Sequence, residues 1–298
     1  MHPQALFEIF GKPVYAYGIC MGVGIICCFI FLMVAFDKRN FNDEASAKIL
    51  LIGGGATAFG IFMAMVFQSF YNYLDDLEKY GSAVFSLDTS MTFYGGLIGG
   101  VASFLIVWNL YVFVIAPRTK VRLLQNNMNA SLSDALPIIP IGITIAHAFG
   151  RLGCFFGGCC YGAETDAWYG IACQAIGLVN TGVKVIPTQL FECIFLFVLS
   201  AVMAVLYFKF RFNCNFGLYA VTYGIWRFLI EYARDDYRGS FIPGLTPSQL
   251  WAIVMVVLGI GYFFAYKYFF KRFMKHPELQ PPVNAKHDEA DAAGAAEQ

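Results

Sequence analysis

The chain has 298 residues, 58% of them apolar and only 13% charged, with 31 Phe and 17 Tyr. A soluble domain of average make-up carries about 25% charged residues, so this composition excludes an ordinary soluble enzyme, and its apolar content excludes a largely disordered chain. Twenty Lys and Arg balance twenty Asp and Glu. The basic excess of a nucleic-acid binder is missing, and no nucleic-acid partner is expected.

A helix that crosses a bilayer needs about 20 mainly apolar residues. In chain order, the stretches that qualify are residues 14–36, 47–70, 91–116, 135–150, 186–208, 216–233 and 248–270. The first has no basic segment before it and no small-residue cleavage site after it, so it reads as a true span and not a signal peptide. The fourth is the shortest, and its Pro137 and Pro140 kink the helix or delay its start. Placing the N-terminus outside puts Lys38, Arg39, Arg118, Lys120, Arg122, Lys209, Arg211, Lys267, Lys271, Arg272, Lys275 and Lys286 inside. Only Lys12, Lys79, Arg151, Lys184, Arg234 and Arg238 then lie outside. The positive-inside bias therefore predicts an all-α polytopic membrane protein. It has seven transmembrane helices, the N-terminus outside and the C-terminus cytoplasmic.

The predicted membrane domain covers residues 1–275, with small extracytoplasmic segments at 71–90, 151–185 and 234–247. The first of these is acidic (Asp75, Asp76, Glu78, Asp88) and the second rich in Gly and Cys. Residues 276–298 are Ala-, Glu- and Pro-rich and read as a disordered cytoplasmic tail. Irregular backbone in a helical bundle is where function concentrates, which points to the outer face.

Cys20, Cys27, Cys28 and Cys193 fall within spans and act as small hydrophobes. Cys154, Cys159, Cys160 and Cys173 lie in the Gly-rich outer segment. Their C-x4-C-C spacing is not a standard zinc pattern and no His is near, so neither a metal nor a cofactor is expected. Packed or disulfide-linked cysteines are the plain reading, and a reactive thiolate beside Arg151 the sharper one. His147 is the one His within a span, either a hydrogen-bonded structural residue or a functional group.

Charge inside a span costs several kcal/mol unless it is paired or meets water. Arg151, Glu192, Arg227 and Glu231 are such charges, with Asp134 a helix cap at the start of the fourth span. Arg227 and Glu231 stand four residues apart, on one helical face. An internal Arg–Glu lattice would explain the two carboxylates. Two guanidiniums beside Gly-rich backbone also make a clamp for phosphate oxygens, and the phosphate at that depth belongs to a lipid. Gly53, Gly54, Gly55 and Gly60, with Gly95, Gly96, Gly99 and Gly100, predict close helix packing or backbone bare enough for a substrate to touch.

The string Gly150-Arg-Leu-Gly-Cys-Phe-Phe-Gly-Gly-Cys-Cys-Tyr-Gly162 resembles the signature of the prolipoprotein diacylglyceryl transferase family. So do Tyr17-Gly18, Tyr94-Gly-Gly-Leu-Ile-Gly-Gly100, Ile186-Pro-Thr-Gln-Leu-Phe-Glu192 and Tyr223-Gly-Ile-Trp-Arg-Phe-Leu-Ile-Glu231 followed by Arg234. Pro247-Ser-Gln249 matches the start of the last span. The resemblance implies an enzyme of the bacterial plasma (inner) membrane that moves the diacylglyceryl group of phosphatidylglycerol to the lipobox Cys thiol of a prolipoprotein. Glycerol phosphate leaves. Its partners are then phosphatidylglycerol, the prolipoprotein signal peptide and membrane lipids.

By that resemblance Tyr94, Arg151 and Arg227 are catalytic. Tyr17, Gly95, Gly96, Cys154, Gly162, Gln189, Glu192, Glu231 and Arg234 bind or frame the substrate. The chain departs from the family where Tyr94 replaces a His, Cys154 an Asn, and the Cys159-Cys160 stretch an acid. Two other readings stay open: a relative that uses the same lipid clamp for another acceptor, and a non-catalytic lipid-binding or transport protein.

Overall fold

The computed structural model describes residues 5–9, 11–82, 84–87, 92–121, 125–172, 183–234 and 245–276. The expectations for Asp88, Cys173, Arg238 and the tail beyond residue 276 lie outside these residues. The described chain is mostly helical. A hairpin of β1 (Ala5–Ile9) and β2 (Lys12–Tyr15) leads into α1 (Ala16–Asp37). α2 (Asp43–Tyr80) and α3 (Phe93–Leu110) follow. α3 runs through a π-helical turn (Tyr111–Ile115) into α4 (Ala116–Arg118). After the short α5 (Leu132–Ala135) comes α6 (Ile139–Gly157). The strands β3 (Ile171–Ala172) and β4 (Lys184–Val185) pair antiparallel ahead of α7 (Thr188–Phe210). α8 (Asn215–Ile230) ends in a 3₁₀ turn (Glu231–Ala233), and α9 (Pro247–Tyr268) closes the helical series.

Among the described residues, six helical stretches are long and apolar enough to cross a membrane: α1, α2, Gly95–Arg118, α6, α7 and α9. Their outward faces carry Ile26, Ile30, Leu51, Val198, Val257 and Leu258, all exposed, which suits contact with lipid and not with water. α8, at 16 residues, falls short of that length. This is a polytopic membrane protein.

The helix ends follow from their caps. Asn42 accepts the Ala45 N–H at 2.9 Å to start α2, and Pro247 sits at the first position of α9 behind a Thr246–Gln249 capping box. Two boundaries differ from the expectation. α2 continues ten residues past Phe70, because Tyr71–Tyr80 is a polar but helix-competent stretch with a Lys79–Asp75 pair at 2.7 Å. It stops at Gly81, at φ 69°. α6 starts at Ile139, since Pro137 and Pro140 delay it, and runs on to Gly157. Arg151 and Cys154 are therefore helical residues and do not follow the helix. Asp134 belongs to α5, where it accepts the Ser131 N–H at 2.7 Å. It also ties down the segment after α9, taking the N–H groups of Lys275 (2.9 Å) and His276 (3.0 Å).

The chain forms two compact units, one of residues up to Asn40 with those from Ala130 onward, the other around Phe41–Asn129. In the first, α6 packs on α1 and α7, and α8 on α9. A buried cluster of Ala148, Cys193, Leu196 and Tyr223 lies between α6, α7 and α8. In the second unit, α2 and α3 pack through glycine. A Cβ on Gly60 would stand 2.9 Å from the Gly96 carbonyl oxygen, and one on Gly99 2.5 Å from the Met63 Cβ. Gly60→Ile is expected to lower stability by about 1–3 kcal/mol. Gly53→Ala, which meets nothing within 4 Å, is expected not to lower it. Thermal unfolding of the detergent-purified protein reads both; equal midpoints would remove the packing role.

Candidate active site

The polar groups of the first unit collect where α6 ends, α7 begins and α8 ends. Arg151 on α6 and Glu192 on α7 form an ion pair at 3.0 Å. Tyr223 of α8 closes a triangle: its hydroxyl donates to Glu192 Oε1 at 2.7 Å and accepts from Arg151 Nη2 at 3.0 Å. Glu192 is only 1% exposed and the Arg151 side chain 17%. A buried carboxylate needs that charge and that hydroxyl, because desolvation of a lone anion costs several kcal/mol. One edge of the guanidinium is held, while the side chain keeps access to the surface.

Tyr219, Tyr223 and Arg227 recur every four residues along one side of α8, and Glu231 follows at the same spacing in the 3₁₀ turn. Arg227 Nη2 donates to the Ser248 hydroxyl at 2.8 Å. Its Nη1 lies 2.8 Å from Glu231 Oε2, but the pair is poorly aligned, and neither buried atom completes a hydrogen bond. The Arg227 fork is thus held by the Ser248 hydroxyl and by the charge of Glu231, while its buried Nη1 lacks an aligned acceptor. Glu231 also accepts from the Thr246 hydroxyl at 2.8 Å and has Arg234 Nε at 3.9 Å. One carboxylate so joins the end of α8 to the cap of α9.

The segment after α6 is clamped to α7. Gly158, at φ 67°, reverses the chain. Gln189 donates to the Cys159 carbonyl at 2.6 Å and Thr188 to that of Cys160 at 2.8 Å. Gly162 is buried and donates to the Ile186 carbonyl at 2.8 Å. Any Cβ there would lie 2.5 Å from the Ala233 oxygen and 2.8 Å from the Ile186 Cβ, so only glycine lets the three segments meet. The described cysteines form no disulfide. The sulfurs of Cys154, Cys159 and Cys160 instead lie within 4.8 Å of one another, a potential ligand set that the C-x4-C-C spacing gave no reason to expect.

Tyr17 opens α1 and lays its ring against Gly153, one residue before Cys154; a Cβ on Gly153 would meet it at 3.1 Å. His147 lies one turn before Arg151. Its Nδ1 is 3.0 Å from the Tyr219 hydroxyl, and its ring meets Tyr223 edge-on at 4.7 Å. Tyr94, Gly95 and Gly96 are in the other unit, in the first turn of α3. The Thr92 hydroxyl donates to Gln68 at 2.5 Å and fixes the start of that helix on α2. The glycines serve packing: a Cβ on Gly95 would lie 2.6 Å from that of Phe67.

Sequence reasoning found Arg151, Glu192, Arg227 and Glu231 through the cost of burying charge. It named Tyr223 and Ser248 only as members of longer motifs, without a role, and passed over Thr246. The signal for Tyr223 was its four-residue spacing before Arg227, which a tyrosine in an apolar helix hides.

Together the fold and the site define a multi-pass membrane protein that holds two partly committed guanidiniums at one end of a helical unit, a geometry suited to the phosphate of a lipid. Residues 4–265 match the sequence profile of the prolipoprotein diacylglyceryl transferase family. The chain is 31% identical over 264 residues to phosphatidylglycerol--prolipoprotein diacylglyceryl transferase 2 of Clostridium perfringens, covering 86% of this chain and 92% of the relative. It is 27% identical over 261 residues to the transferase of Clostridium tetani, covering 87% and 95%. With that of Dehalococcoides mccartyi the identity is 27% over 269 residues, covering 86% and 91%. The chain belongs to the prolipoprotein diacylglyceryl transferase family.

Proposed function

We propose that this protein transfers the diacylglyceryl group of phosphatidylglycerol to the Cys thiol of a prolipoprotein lipobox and releases glycerol phosphate. The observation that carries this reading is the Arg151–Glu192–Tyr223 triangle beside an Arg227 whose Nη1 is buried without an aligned acceptor. The lipid's phosphodiester departs as a phosphate monoester, and planar guanidiniums hold its oxygens in the ground state and more strongly as the C–O bond breaks and charge builds on the leaving oxygen. Glu192 and Tyr223 orient Arg151. Glu231, with Arg234, orients Arg227, and Gln189 and Gly162 set the loop that follows α6 and carries Cys159 and Cys160. Tyr17 lines the acceptor side.

The protein sits in the bacterial plasma membrane with seven spans, the N-terminus outside and the C-terminus cytoplasmic, the site lying toward the outer face. The span that raises the count from six to seven is α8, sixth in chain order: its 16 residues rise about 24 Å, and the 3₁₀ turn at Glu231–Ala233 extends it. Its short length fits a helix that ends among the polar groups of Arg227, Glu231 and Thr246. Residues 1–275 form the membrane domain and 276–298 the cytoplasmic tail.

Tyr94 stands where the family usually has His. A phenol with a pKa near 10 relays a proton but is a poor base. Tyr94→Phe is expected to slow transfer about tenfold or more, and Tyr94→His to keep or raise the rate, in membranes given phosphatidylglycerol and a lipobox peptide. A silent Tyr94→Phe would end the relay role. Complementation of a bacterium depleted of its own transferase tests the whole reading: growth with normal lipoprotein processing is expected, and no rescue at equal expression overturns it.

A further inference from the structure

We propose that Cys154, Cys159 and Cys160 form a three-thiolate zinc site whose fourth position takes the acceptor thiol; the second part of this rests on the transferase reading above. The three sulfurs lie within 4.8 Å of one another. In a tetrahedral site with Zn–S bonds of about 2.3 Å, ligand sulfurs are about 3.8 Å apart. Closing the set therefore shortens the sulfur separations by about 1 Å at most, a shift within the reach of side-chain rotation.

That backbone is built for the purpose. Cys154 occupies the last turn of α6. The left-handed Gly158 then folds the chain back, and the Cys159 N–H bonds to the Cys154 carbonyl at 3.2 Å. Gln189 and Thr188 hold the carbonyls of Cys159 and Cys160 from the first turn of α7, and Cys160 itself adopts φ 64°, unusual for a residue with a side chain. Residues distant by five and six in sequence are thus fixed as neighbours in space.

Thiolate donors select zinc and other soft or borderline ions over magnesium or calcium. Among the described residues no fourth His, Cys, Asp or Glu joins the group. Three protein ligands with one position open is the pattern of a zinc that works on a substrate, whereas structural zinc is closed by four. Cys159 is exposed, so a ligand can arrive from that side. Three thiolates around a dication leave one net negative charge. Arg151 stands one turn before Cys154, and the Ala163 N–H bonded to the Ala233 carbonyl at 2.9 Å brings the Arg234 segment to the same loop.

The chemistry meets a need that the sequence leaves open. An S-alkylation requires a thiolate, and Tyr94 cannot generate one unaided at neutral pH. A thiol that coordinates zinc gives up its proton. In the step, the acceptor S–H loses H⁺ to water and its sulfur binds the metal. The sulfur then attacks the glyceryl carbon of the lipid. The C–S bond forms as the C–O bond breaks, and its electron pair leaves with glycerol phosphate, held by Arg151 and Arg227. No oxidant or reductant takes part. The thioether product is a weaker ligand than a thiolate and departs.

The full-length protein, purified in detergent under reducing conditions and stripped with a chelator, tests this by titration with Zn²⁺ and Co²⁺. One zinc per chain and a thiolate-to-cobalt charge-transfer band are expected. Cys154→Ser, Cys159→Ser and Cys160→Ser should each weaken binding about tenfold or more, while Cys214→Ser, well away in sequence at the start of α8, leaves it intact. A lipobox peptide with Cys should shift the cobalt bands, and the same peptide with Ser should not. Binding well below one zinc per chain, equal binding by all four variants, or a disulfide among the three persisting in place of metal overturns the site. Identical responses to the two peptides overturn the thiol-binding role. Transfer activity is read separately on the same preparation. Transfer without zinc overturns the site and leaves the function; zinc without transfer overturns the function and leaves the site.

Discussion

Arg151→Ala is expected to reduce diacylglyceryl transfer by about 10²–10³-fold, mostly in kcat. Removing one preorganised donor from a developing anion typically raises the barrier by about 2.7–4 kcal/mol, which is that range of rates. The geometry adds a second effect. Glu192 is 1% exposed and would lose its cation at 3.0 Å, leaving a buried charge held only by the Tyr223 hydroxyl at 2.7 Å. Breaking a buried pair from one side costs about 3–5 kcal/mol of stability, so the alanine variant alone could fail by unfolding. Two further variants separate the effects. Arg151→Lys keeps the charge but loses the planar fork, and should fold while retaining only about a tenth or less of the activity. Arg151→Ala combined with Glu192→Gln removes the stranded anion, and should recover thermal stability without recovering transfer. Turnover equal to wild type in either variant, at equal expression, would show that Arg151 does not hold the leaving phosphate.

The parts of this site that could be read from the chain were those where physics leaves little choice. An Arg or Glu in an apolar run must find a partner, and Arg151, Glu192, Arg227 and Glu231 do so with one another. The glycines of α3 and Gly60 of α2 announced close packing, and a Cβ on Gly60, Gly95 or Gly99 meets a neighbour at under 3 Å; Gly53 and Gly55, expected to pack in the same way, meet nothing within 4 Å. Helix ends were less legible, because hydropathy ceases to report once a helix leaves its apolar stretch. Tyr71–Tyr80 is helical on propensity and i,i+4 pairing alone. α6 keeps its ladder past Gly150 and yields only to the left-handed Gly158. That reversal also hid the three-cysteine cluster. Spacing patterns assume a familiar turn between ligands, and here a helix end followed by a left-handed residue makes neighbours of Cys154, Cys159 and Cys160. Tyr223 was hidden for another reason. In an apolar helix a tyrosine is read as core, and it does pack with Ala148, Cys193 and Leu196, yet its hydroxyl is the corner between Arg151 and Glu192.

Glu231→Ala is expected to affect both stability and rate, because its two oxygens serve different helices. Oε1 takes the hydroxyl of Thr246 at 2.8 Å, the residue that caps α9. Oε2 neighbours Arg227 at 2.8 Å and Arg234 at 3.9 Å. The alanine leaves two buried guanidiniums without their anion and removes the link between the end of α8 and the start of α9. A loss of about 3–5 kcal/mol follows from the stranded charge, and transfer should fall about 10²-fold as Arg227 loses its position. Glu231→Gln separates the two roles. Its amide oxygen can still accept from Thr246, so the α8–α9 junction should hold and most of the stability return. Its neutral amide cannot balance Arg227, so the rate should stay low. A double-mutant cycle of Glu231→Gln with Arg227→Lys, followed through kcat/KM for phosphatidylglycerol, then measures the coupling. Acting as one unit, the pair should show an interaction energy of about 0.5–3 kcal/mol. Strict additivity would mean that Glu231 secures the helix junction and has no hand in aiming the Arg227 fork.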